Sequence, residues 1–147
     1  SALPESIDDS WGERRYAPST AEQVRPNYRL GGGVLELNLS KVDPKGATIS
    51  TEVEVAGGGL SVRVPENVKL VIKAEAELGS VRLPDSNRSG FEVTGDNEVQ
   101  RTIRAKGKSL GTFELHLTVG IGDLVVTRTP AGAPPPHPNP SPRSGAP

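Results

Sequence analysis

The chain has 147 residues, a formal net charge of -1, 17 Gly, 14 Pro, no Cys and no Met. The length fits one domain, and the balanced charge excludes a protein that coats nucleic acid with a basic surface. The missing Cys exclude a disulfide, a zinc–thiolate site and a cysteine nucleophile. Because position 1 is Ser, the natural start is expected upstream, together with any leader or membrane anchor.

Residues 1–27 are polar with scattered apolar side chains, which predicts an N-terminal arm or linker. Glu5, Asp8 and Asp9 form an acidic cluster before Trp11. Leu3, Ile7 and Trp11 are spaced by four, enough for one or two helical turns and too short to stand alone. One or both of Trp11 and Tyr16 are expected to pin the arm to the body.

From residue 28 to about residue 129 the texture changes to period-2 alternation. Leu35, Leu37 and Leu39 alternate with Glu36 and Asn38. Ile49, Val53 and Val55 alternate with Ser50, Glu52 and Glu54, and Leu60, Val62 and Val64 with Ser61 and Arg63. Val68, Leu70, Ile72, Ala74, Ala76 and Leu78 form a longer series, followed by Val81 and Leu83. Val99, Ile103 and Ala105 oppose Gln100, Thr102 and Arg104. Phe113, Leu115, Leu117, Val119 and Ile121 lead to Leu124 and Val126. Successive strand side chains point to opposite faces, so this pattern predicts half-buried strands and an all-β domain over residues 28–129.

The strands share punctuation. GGVLELNL, GGLSVRVP, LGSVRLP and GIGDLVV each place Gly before a short alternating strand. Gly33 to Gly58 is 25 residues, Gly58 to Gly79 is 21, and Gly79 to Gly122 is 43, about twice that. Such a period predicts a short β-helix-like solenoid of stacked strands, with Gly turning the backbone at each corner. An antiparallel β-sandwich produces the same alternation and stays open as the alternative. Residues 130–147 hold eight of the 14 prolines and no large apolar residue, which predicts a Pro-rich disordered tail.

The motifs Gly58 to Leu78, Gly79 to Pro84 and Val119 to Val126 resemble the toastrack-type domain. That domain stands at the extracytoplasmic C-terminus of actinobacterial phage-shock-protein C homologues, and a related one occurs in LiaF-like cell-wall-stress proteins. The resemblance covers roughly residues 28–128 and is weakest over residues 85–107. It implies stacked short strands, envelope-stress sensing and a membrane anchor outside this chain, and brings no catalytic residues with it.

The inventory of reactive groups points the same way. His116 falls on the polar face of its strand and His137 lies in the proline tail. No Gly-x-Ser-x-Gly context presents a nucleophile. Asp96-Asn97-Glu98 is too short for a calcium shell and reads as turn chemistry. Glu75 and Glu77 share a face with Lys69 and Lys73, which suits a solvated, charge-paired surface better than a pair of glycosidase carboxylates. Gly31-Gly32-Gly33 and Gly57-Gly58-Gly59 precede strands, so they are not phosphate loops.

The expected function is therefore non-enzymatic. No catalytic, cofactor-binding or metal-binding residue is assigned. The expected partners are envelope proteins or a second copy of the chain, with no nucleic acid and with membrane contact only through the absent anchor. The expected location is the extracytoplasmic face of the cell membrane. The alternative is a module that binds or acts on envelope polysaccharide.

Overall fold

The computed structural model describes residues 11–84, 91–93 and 98–131. The domain is all-β. Seven strands form one mixed sheet: β1 (Trp11–Tyr16), β2 (Asn27–Asn38), β3 (Thr48–Pro65), β4 (Lys69–Pro84), β5 (Phe91–Val93), β6 (Glu98–Ile103) and β7 (Thr112–Thr129). A single 3-10 turn, Ala21–Gln23, precedes β2. The order is β1-β2-β3-β7-β4-β5, with β6 also on β4. The five long-axis neighbours β1, β2, β3, β7 and β4 pair in parallel. Parallel pairing of that extent rules out the antiparallel sandwich and leaves a stack of bent strands.

Each bend sits on a glycine. Gly12, Gly33, Gly58, Gly122 and Gly79 lie side by side in register across the five strands. Their φ angles run from +118° to +149°, a region that side chains rarely adopt. Space demands glycine as well. A methyl group on Gly58 would run into the Gly33 carbonyl oxygen, and one on Gly122 into that of Gly58. The corners are thus packed backbone against backbone.

A sequence rule follows from this geometry. The last inward side chain before the corner and the first after it are five residues apart in every long strand: Leu30 and Leu35, Val55 and Leu60, Ala76 and Val81, Val119 and Leu124. The corner glycine is the third residue after the first member of each pair. Odd-to-even parity therefore switches at the corner, yet both arms keep their apolar residues inside. Those residues form one core, with Leu35, Val62, Phe113, Leu117 and Leu124 fully buried within it.

The expected run of successive coils is altered in one respect. The 43-residue interval from Gly79 to Gly122 holds no extra coil among the described residues. It holds β5 and β6, which run antiparallel along β4, after which β7 returns to lie between β3 and β4. β7 is well suited to a central place, because Phe113, Leu115, Leu117, Val119, Leu124 and Val126 are all buried. The strands β3 and β4 are joined only by Glu66, Asn67 and Val68, although β7 separates them.

The two ends of the stack differ. β6 covers Leu70 to Glu75 of β4, and β5 covers Arg82 to Pro84. At the other end β1 covers β2 from Gly32 to Leu37. Residues 11–16, within the stretch expected to be an arm, are therefore a strand of the sheet. Tyr16 meets Tyr28 with ring centroids 4.8 Å apart, and the Arg25 guanidinium lies 4.9 and 5.5 Å from the two rings. Buried Thr51 ties this closure down by donating its hydroxyl to the Arg25 carbonyl at 2.6 Å. Thr51→Val is expected to cost about 1–2 kcal/mol, because it strips the donor from a part-buried carbonyl; a urea midpoint equal to wild type would contradict this. Leu3, Ile7 and all but the first two residues of the expected tail lie outside the described residues.

Where the arms close, Arg128 occupies the inward position that follows Leu124 and Val126. Its Nη2 donates to the carbonyls of Glu66 and Arg104. Burial lowers its pKa from the ordinary arginine value, and the Glu66 carboxylate opposes that shift. Arg128→Met is expected to lower the denaturant midpoint, because two loop carbonyls lose a charged donor, at about 1.5–3 kcal/mol; an unchanged midpoint would show the loops to be held without it.

Candidate interaction surfaces

Three surfaces offer contact. The first is a shallow groove of about 690 Å³ across the outer face of the arms that precede the corners. Ser50, Glu114, Val71 and Thr102 line up across β3, β7, β4 and β6, and Glu52, His116, Lys73 and Gln100 form the next row. Ser50 donates its hydroxyl to Glu114 at 2.8 Å, and His116 Nδ1 lies 3.9 Å from a Glu52 carboxylate oxygen. The His116 side chain is about half exposed, as expected for the polar face of its strand. Serine and imidazole thus each face a carboxylate, in separate rows. Among the described residues no Phe, Tyr or Trp lines the groove.

The acidic candidates are dispersed. Glu98 pairs with Lys73 at 3.9 Å and stands across from Glu75 in the sheet, whereas Asp96, Asn97 and His137 lie outside the described residues. Among the described residues no group of three or more His, Cys, Asp or Glu is placed to hold a metal ion. Among them, too, no helix is long and apolar enough to cross a membrane.

The second surface is the outer edge of β1. Among the described residues β1 is the terminal strand of the sheet order, so one side of its backbone faces away from the stack. Arg15 is held at its outer face by Glu13 at 3.1 Å and Glu36 at 3.6 Å. Charged side chains of this kind limit indiscriminate edge pairing.

The third surface is the outside of the glycine corner. Trp11, Gly32, Gly57, Ile121 and Leu78 occupy one row across the five strands, with Val34 in the next row. Trp11, Leu78, Ile121 and Val34 are 78%, 66%, 62% and 42% exposed. The Trp11 ring lies on the Gly32 backbone, since a methyl group there would meet ring atoms at 2.6 Å. This corrects the sequence reading of Leu78 and Ile121 as the last inward members of their series. The residue before each corner glycine is turned out by the parity switch. The signal that could have found it is the constant five-residue spacing across each glycine. Of the two aromatics expected to pin the arm, Tyr16 packs against the core, while Trp11 lies on the outside of β2.

No protein-family model matches the chain, and no curated protein does. Among solved structures the chain is similar to a "putative cell adhesion protein" from Clostridium sporogenes, at 24% identity and a TM-score of 0.44. The match covers 70% of this chain and 54% of that one, so this chain spans about half the length of that structure.

Proposed function

We propose that the chain is a non-enzymatic extracytoplasmic domain, of the toastrack type, which senses or binds proteins for a membrane-anchored envelope-stress protein. The observation that carries this reading is the asymmetry of the stack. One end finishes in the short antiparallel strands β5 and β6, and the other, among the described residues, in the parallel strand β1, whose outer edge is offered to a partner strand. Strand addition supplies affinity through main-chain hydrogen bonds, and side chains such as Arg15 supply selection. The separation of Ser50 from His116 into different rows, each against a carboxylate, supports a binding role over a hydrolytic one.

The test is photocrosslinking in cells from position 13 on β1, with position 69 on β4 as the reference. An adduct with an envelope protein from position 13 and not from position 69 is the expected result. Equal labelling from both positions, or none, would remove the β1 edge as the contact. A second reading, binding of an envelope polysaccharide, draws on the polar groove around Glu52, His116 and Lys73. Its lack of an aromatic platform weighs against it, and a glycan array that retains the full chain would favour it.

A further inference from the structure

We infer that the glycine corner is a lipid-contacting edge, which seats Trp11, Ile121, Leu78 and Val34 at the headgroup–acyl boundary of a bilayer. This inference concerns a different surface from the β1 edge and needs no protein partner, so each can fail alone.

Three observations carry it. The first is shape. The four side chains stand on the outside of a bend, and the row from Trp11 to Leu78 crosses four strand spacings, about 19 Å. A convex apolar edge fits a deformable medium better than another rigid surface.

The second is backbone chemistry. Pairing lapses for one residue before the corner, at Gly31, Ala56, Gly120 and Glu77, and resumes in the ridge row and the glycine row, from Gly12 and Gly33 through Gly58 and Gly122 to Gly79. On β2, β3 and β7, which have a neighbour on both sides, Gly32, Gly57 and Ile121 are paired within the ladder. Bare glycines such as Gly57 can therefore approach lipid without carrying unsatisfied donors into it. An irregular loop tip would lack that property.

The third is area. The four exposed side chains offer roughly 500 Å² per molecule. Two ridges meeting face to face would bury about 1,000 Å² at most, the lower bound of a specific protein interface. Convex edges would realise less of it. For insertion by a few ångströms into the interface the same patch suffices, and tryptophan is the side chain that favours that depth. The flanking charges are mixed. Glu13 and Asp123 lie beside the ridge, with Arg15 and Arg82 two residues further along their strands. Attraction should therefore come from the apolar edge and depend little on lipid charge.

Trp11 is the chain's single tryptophan and sits in the ridge, so it reports directly. The full chain is titrated with vesicles of phosphatidylcholine, and with vesicles in which a quarter of it is replaced by phosphatidylglycerol. The expected result is a blue shift of Trp11 emission on both, within about threefold in midpoint, and quenching by acyl-brominated lipid. The Leu78→Ser/Ile121→Ser double variant, with unchanged circular dichroism, should lose at least roughly tenfold in partitioning. Emission that stays unshifted at millimolar lipid with wild-type protein would overturn the inference. So would a dimer in sedimentation that the same double variant dissolves, since the ridge would then belong to a second copy.

Discussion

Gly58→Ala is expected to leave the chain unfolded, while Gly57→Ala and Gly59→Ala on either side keep a near wild-type melting temperature. The three glycines are equivalent by eye in the sequence. Gly58 alone has a positive φ, +132°, and alone would drive a methyl group into a neighbouring backbone carbonyl. The obstacle is the Gly33 peptide, which is itself held between Gly12 and Gly58 in the ladder. Neither partner can retreat without opening the corner. At Gly57 and Gly59 the nearest atoms are 3.9 Å or more away. Alanine there fits, and it removes some of the freedom that glycine has in the unfolded chain. Gly46→Ala and Gly107→Ala separate strain from collision, because both have positive φ and nothing within 4 Å. They should cost about 1–2 kcal/mol. Gly58→Ala should exceed about 4–5 kcal/mol, a large part of the stability of a domain this size. Thermal melts and amide spectra of the five variants check the series. A Gly58→Ala protein that melts with Gly46→Ala would show the corner to be far softer than its geometry.

Val62→Asp is the second change expected to abolish folding. Val62 is fully buried and pairs in register with Leu37 on β2 and Val126 on β7. A carboxylate there meets only apolar side chains from three strands. It would take up a proton rather than stay charged, at a cost of several kcal/mol at neutral pH. Since burial raises the folded-state pKa, the charge penalty is absent below the unfolded aspartate pKa and grows as pH rises above it. Val62→Thr grades the effect. It keeps the shape and adds one unpartnered hydroxyl, for about 1–3 kcal/mol. A folded, wild-type-like Val62→Asp protein at neutral pH would mean that this part of the core admits water.

Much of this architecture was legible in the residues themselves. Alternation marked the arms, and Gly33, Gly58, Gly79 and Gly122 marked four corners, because a strand that must bend sharply has few residues to choose from. Gly12 escaped notice since Arg14 holds the inward position after it, and so β1 shows no apolar alternation. Parallel pairing was legible only in the glycine spacing that predicts a solenoid, because a half-buried strand alternates in the same way whichever direction its neighbour runs. The place of β7 was not legible. Its Glu114 and the Ser50 that Glu114 meets on β3 lie 64 residues apart, and no local pattern encodes a contact at that range. Leu78 and Ile121 were assigned inward because counting by two was carried through the glycine, where the count resets. The expectation of a non-enzymatic role came from what the residue inventory lacks. The three surfaces needed coordinates, because each is assembled from strands distant in sequence.

The place of β7 has a consequence for biogenesis. Synthesis delivers the innermost rung last, so the earlier strands wait with two long flanks unmatched until Thr129 has left the ribosome or the export channel. During that interval β3 and β4, joined by three residues, are free to zip to each other with their corner glycines aligned. The finished sheet requires that shortcut to open or never to form. Maturation should accordingly be slow for a chain of this length, and attentive to whatever escorts keep its nascent edges apart.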